Sequence, residues 1–71
     1  MNAKLSDRFP ADFPKLSQPA RRALAEAGYT HLEQFANLTE AEILKLHGVG
    51  PKSIRELRAA LAAKGLAFKK G

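Results

Sequence analysis

The stretch Leu46-His47-Gly48-Val49-Gly50-Pro51-Lys52 constrains this protein more than any other. Two glycines separated by one valine break a helix that runs into them. Pro51 suits only the start of a new helix, because it lacks an N–H and its φ is already helical. Apolar residues keep helical spacing on both sides, with Ile43, Leu44 and Leu46 before the glycines and Ile54, Leu57 and Leu61 after them. The last three recur at i, i+3 and i+7 and share one stripe. The segment therefore predicts two amphipathic helices joined by a tight hairpin. The second helix is expected to run from Pro51 to Gly65, with Lys52, Arg55, Glu56, Ala59 and Ala63 on its wet face and Arg58 flanking the stripe.

The rest of the sequence is punctuated in the same way. Ser17 is placed to cap a first helix that carries Pro19 in its first turn and stops at Gly28 after Ala27. Thr30-His31-Leu32-Glu33 has the spacing of a capping box and opens a second helix ending near Ala36. Thr39-Glu40-Ala41-Glu42 repeats the device for a third, running to about Leu46. Leu66 and Phe68 are expected to fold the tail back onto the core. The reading is a compact all-α bundle of four to five short helices with one helix-hairpin-helix element and no strand. Residues 1–15 form an extended N-terminal arm anchored by Phe9-Pro10 and Phe13-Pro14, with its first few residues loose. Residues 16–68 form the domain, and 69–71 a basic tail. One internal echo stands out: Leu24…Gly28…Leu32 and Leu46…Gly50…Ile54 each centre a glycine between apolar residues, which points to two pseudo-symmetric helical hairpins.

A sequence of 71 residues holds one small domain, and without cysteine it has neither disulfide nor Cys-ligated zinc to reinforce a small core. Helix packing must supply the stability. No apolar run is long enough to cross a bilayer, and the first residues lack a signal-like stretch, so a cytoplasmic protein is expected. The net charge of +5 is unevenly spread. Residues 1–22 hold five basic groups against two acidic ones, whereas residues 23–44 hold four glutamates (Glu26, Glu33, Glu40, Glu42) and no Lys or Arg. Residues 45–71 hold seven basic groups against Glu56 alone. Helix capping accounts for most of the acidic centre. The basic surplus lies at the two ends, one of them beside the hairpin, and favours a polyanionic partner.

Chemistry concentrates at the hairpin. Glycines at 48 and 50 permit a tight turn, with positive φ expected, and leave no side chain in the way of an approaching ligand. The amides that follow sit at the free N-terminus of a helix, where unsatisfied N–H groups and a partial positive charge favour a phosphate oxygen. Val49 is expected to plug inward, Lys52 to add a full charge at the same place, and Ser53 to donate its hydroxyl. His47 either approaches a phosphate or is a half-exposed turn residue, and His31 is structural. Catalysis has little to rest on, since there is no cysteine, the serines lack a base partner, and the glutamates sit at helix starts. Two histidines alone do not make a metal site, and Gly48-Val49-Gly50 is too short for a nucleotide loop, so no cofactor is expected.

Leu46-His47-Gly48-Val49-Gly50-Pro51-Lys52-Ser53, with Ile43, Ile54 and Leu57, resembles the hairpin of helix-hairpin-helix DNA-binding proteins. From about Leu16 to Phe68 the sequence is similar to the C-terminal domain of the bacterial RNA polymerase alpha subunit, a SAM-like helical fold. The resemblance implies binding to double-stranded DNA through backbone phosphates, with contacts from Gly50, Lys52, Ser53 and Glu56. From the residues themselves, His47, Gly48, Val49 and Arg55 complete the hairpin set, and Arg21 and Arg22 flank it. The family uses an arginine at the start of its first helix to reach the minor groove, and Pro19 stands there in this protein. Sequence-tolerant rather than A·T-selective binding is the expectation that follows. The alternative is a protein-interaction module that docks on a transcription or DNA-repair complex.

Overall fold

Residues 8–70 are described in the computed structural model of the protein. They form four helices in the order α1 (Gln18–Ala27), α2 (Leu32–Phe35), α3 (Glu40–Leu44) and α4 (Pro51–Ala63). No strand occurs among the described residues, so the all-α reading holds. The expected looseness of the first few residues falls on positions 1–7, which lie outside the described residues, as does Gly71.

Local chemistry sets most helix ends. Ser17 caps α1, its hydroxyl accepting from the Ala20 amide at 3.3 Å. At the other end Gly28 takes φ 88°, and the Tyr29 amide reaches back to the Leu24 carbonyl at 2.8 Å. Thr39 and Glu42 close the expected capping box of α3, with Glu42 Oε1 accepting from the Thr39 amide at 2.8 Å and Thr39 Oγ1 from the Glu42 amide at 3.1 Å. The box on α2 lies one residue later than the sequence pattern indicates. His31 is the N-cap, and Gln34 is the residue that reaches back, its Oε1 accepting from the Thr30 and His31 amides at 2.9 Å each. The freed Glu33 turns outward to Lys64 at 2.6 Å. Helix α3 also ends two residues short of expectation, because the backbone tightens into a turn at Leu46, whose amide bonds to the Ile43 carbonyl at 3.0 Å.

Helix α4 is the spine and packs against α2 and α3. Ile54, Leu57 and Leu61 are buried along it and meet Leu24, Leu32, Phe35 and Ile43 from the three shorter helices. Phe35 has no exposed surface and gathers the outlying segments. Its ring centroid lies 6.0 Å from Phe13 of the arm, 6.1 Å from Tyr29 after α1, and 6.0 Å from Phe68 of the tail. Such tilted and edge-on pairs add attraction beyond the area they bury. The arm turns at Pro10, whose carbonyl accepts from the Phe13 amide at 3.0 Å, and this stacks Phe9 on Phe13 at 4.5 Å. On the tail side, the Lys69 amide bonds to the Leu38 carbonyl at 2.9 Å.

Candidate nucleic-acid interface

The hairpin consists of two turns in succession, and its two glycines behave differently. Val49 donates its amide to the Leu46 carbonyl at 3.2 Å and is itself 9% exposed, so its side chain plugs the turn from within. That amide is therefore spent inside the molecule and does not face outward as the amides after it do. Gly48 has φ 102°, and a Cβ placed on it would lie 2.7 Å from the Pro19 carbonyl oxygen. The hairpin thus rests directly on the first turn of α1. Gly50, also expected to need positive φ, has instead an ordinary extended backbone with φ −126° and ψ −175°. A Cβ there would meet nothing within 4 Å.

Gly50 is the N-cap of α4, and its carbonyl accepts the Ile54 amide at 3.1 Å. Having no side chain, it cannot cover the helix start as Ser17 and Thr39 cover α1 and α3. Pro51 at the first helical position has no N–H. The next two amides, those of Lys52 and Ser53, meet no acceptor among the described residues. They are oriented donors at the positive end of the longest helix.

These amides border a groove of about 390 Å³ between the hairpin and the start of α1. Gly48, Gly50, Pro51, Lys52, Ser53 and Glu56 line one wall, and Lys15, Leu16 and Ser17 line the other. Lys52 and Lys15 are exposed, Ser53 is buried at the groove floor, and Glu56 is half-buried. Of the residues singled out from sequence, this groove unites Gly48, Gly50, Lys52, Ser53 and Glu56. It does not include His47, Arg55 or Arg22, which are exposed outside it, or Val49, which lies beneath it. Arg21 is half-buried and lines a neighbouring notch instead. Sequence reasoning missed Lys15 and gave Ser17 only a capping role. Nothing local marks Lys15 as a hairpin neighbour; the basic surplus of residues 1–22 was the one signal pointing toward this end of the sequence.

Arg58, placed beside the buried stripe, is engaged elsewhere. Its Nε and Nη2 form a fork on the Glu40 carboxylate at 3.0 and 2.9 Å, tying α4 to α3. A second tie joins three segments, with Lys64 Nζ lying 2.5 Å from Asp12 of the arm and 2.6 Å from Glu33 of α2. The Lys64 ammonium holds both carboxyls below their ordinary range, and they in turn raise Lys64. Both ties lie at the surface, outside the groove.

Short helices gathered around one long one, with a glycine hairpin leading into an uncapped N-terminus, define a small all-α module of the helix-hairpin-helix kind. The protein belongs to the family of the C-terminal domain of the bacterial RNA polymerase alpha subunit, whose model matches residues 15–63. Every residue that lines the groove lies within that span. No solved structure matches the sequence at a significant level. The family is a DNA-binding domain of RNA polymerase and is not itself catalytic, so DNA binding is the general role attached to this fold. Pro19 is exposed and supports Gly48 with its carbonyl.

Proposed function

We propose that this protein binds double-stranded DNA with little or no sequence preference, by seating a backbone phosphate at the start of α4. The Lys52 and Ser53 amides donate to the phosphate oxygens, the Lys52 ammonium supplies a full charge, and Gly50 leaves room for the sugar-phosphate backbone to come close. His47, Arg22 and Arg55 lie outside the groove and add only long-range attraction. Contacts of this type position a protein on a duplex without reading bases. With one to three phosphates neutralised, affinity falls on the order of 10⁻⁴–10⁻⁶ M at physiological salt. The observation that carries the reading is the uncapped start of α4 opening on a groove that Lys15 and Lys52 flank. Membership in a DNA-binding family supports it.

Titration of the ¹⁵N-labelled protein with a short DNA duplex tests the reading. The amides of Gly48, Gly50, Lys52 and Ser53 should shift first, and Lys52→Glu should abolish the shifts while leaving the melting temperature nearly unchanged. Shifts absent at low salt, or Lys52→Glu binding as the wild type does, would count decisively against it.

A second reading rests on a different surface. Leu44, 43% exposed, borders a groove of about 590 Å³ with Ala41, Ala67 and Phe68, rimmed by Lys69 and Lys70. An apolar floor with a charged rim suits contact with a protein of the transcription machinery. Shifts confined to Ala41, Leu44 and Phe68 on adding such a protein would favour docking; shifts at Gly48–Ser53 on adding duplex favour DNA.

A further inference from the structure

We propose that Arg21 and Lys15 form a second phosphate seat on the same duplex, next to the one at the start of α4. The inference rests on the DNA-binding reading and extends it by a separate set of residues. Arg21 supplies the main observation. Its Nε is shut off from solvent, yet it has no hydrogen-bond acceptor among the described residues. A charged donor left in that state is costly, and proteins satisfy nearly all such groups. A rotation of the side chain that turns this N–H into the notch beside it would let an arriving anion satisfy it.

The surroundings fit a phosphate. Arg21 lines a notch of about 230 Å³ walled by Phe9, Pro10, Phe13 and Pro14 of the arm, with Lys15 at its edge. Apolar walls reduce screening, so a charge pair formed there is stronger than one on an open surface. Among the described residues, no carboxylate lines the notch. Asp12, the acidic residue of this turn, is turned away and held by Lys64. The planar guanidinium presents Nε–H and an Nη–H side by side, which matches two oxygens of one phosphate. Lys15 lines both the notch and the hairpin groove, so the two form one continuous basic track. A polyanion with charges at regular intervals fits such a track better than a single small anion does.

An arginine Nε–H carries its own ¹⁵N resonance, so that of Arg21 serves as the probe in the wild-type protein. Adding a short duplex should shift it together with the hairpin amides, whereas inorganic phosphate at equal phosphate concentration should move it little. Anisotropy titrations across several salt concentrations supply the second arm. Lys15→Ala should reduce the slope of log K against log salt by about 1 and weaken binding by about fivefold to tenfold. Arg21→Lys should weaken binding while nearly keeping the slope, because the charge stays and the fork is lost. An unmoved Nε–H together with wild-type binding by both variants, while Lys52→Ala is impaired, overturns the second seat and leaves the hairpin reading intact. Unimpaired Lys52→Ala with impaired Lys15→Ala does the reverse. A larger Nε–H shift with inorganic phosphate than with duplex would assign the notch to a free anion and overturn the proposal.

Discussion

Gly48 and Gly50 stand two residues apart, and each is glycine for its own reason. At Gly48 a methyl group would have to tolerate φ 102° and lie 2.7 Å from a backbone oxygen of Pro19, which cannot swing aside as the end of a flexible side group would. Gly48→Ala should therefore cost about 2–4 kcal/mol, from left-handed strain and overpacking together. A domain of this size has a total stability on the order of 4–10 kcal/mol, so denaturant titration should register a large loss. At Gly50 the backbone is ordinary and the space around the missing Cβ is empty. Gly50→Ala gains from a less flexible unfolded state and loses a little as a poorer N-cap, so stability should change by no more than about 0.5 kcal/mol. Duplex affinity should nevertheless fall, because the methyl group projects where the sugar-phosphate backbone is proposed to pass. Retained stability with reduced affinity at Gly50, and the opposite pattern of losses at Gly48, would separate a residue that builds the site from one that keeps it open. The sequence pattern alone assigned both glycines positive φ. What it lacked was the long-range contact with Pro19, which makes Gly48 the strained member of the pair.

At the scale of elements, the helices were legible wherever a local signal settled the matter. Ser17, Thr39, Pro51 and Gly65 mark their boundaries with groups only a few residues away. The box at Thr30 misled by one position because Glu33 and Gln34 both have side chains suited to the capping role, and Lys64, far along the sequence, draws Glu33 away. Gln34 also donates to the Gly28 carbonyl at 2.9 Å, so one amide side chain fastens the entire α1–α2 junction. Gln34→Ala should accordingly lower stability by about 1–2 kcal/mol, clearly more than Glu33→Ala, in paired thermal melts. The internal echo fails for a related reason. Gly28 and Gly65 both end helices with positive φ, and each is followed by an amide bonded to the carbonyl five residues back, those of Tyr29 to Leu24 and Leu66 to Leu61. Gly65 rather than Gly50 is the counterpart of Gly28. The Lys64 tie to Asp12 and Glu33 makes stability depend on pH in a predictable direction. Both carboxyls are held below their ordinary values of 3.8 and 4.5, so their contribution is present above those values and is lost as pH falls through the depressed ones. Lys64 is raised above 10.5, so its contribution is complete below that value and fades only in stronger alkali. Lys64→Ala should lower the melting temperature slightly at neutral pH and flatten its decline below about pH 4.

For the whole molecule, the arrangement of charge distinguishes the readings better than its total does. The contact of Gly48 with Pro19 brings one basic stretch against the other, with Lys15 sharing the hairpin groove with Lys52 and the adjoining notch with Arg21. Three of the four glutamates of the acidic middle go to a helix cap or to two ion-pair ties, with Glu42 bonded to Thr39, Glu40 to Arg58 and Glu33 to Lys64. These three glutamates, and Asp12 with them, are thus occupied away from the groove. The charge asymmetry was readable along the sequence, but its folding onto one side was not, since it depends on a contact between residues almost thirty positions apart. One consequence reaches beyond any single residue. If the track from Arg21 through Lys15 to Lys52 follows a duplex, two or three phosphates are neutralised, and log K should fall against log salt with a slope of about −2 to −3. A protein attracted only by its diffuse net charge would lose affinity with salt too, but Lys69→Ala and Lys70→Ala would then weaken it as much as Lys15→Ala. Anisotropy titrations from low to physiological salt should instead show the tail variants keeping the wild-type slope, with the loss confined to Lys15 and Lys52. Equal losses at all four lysines would mean that the groove has no privileged role in holding DNA.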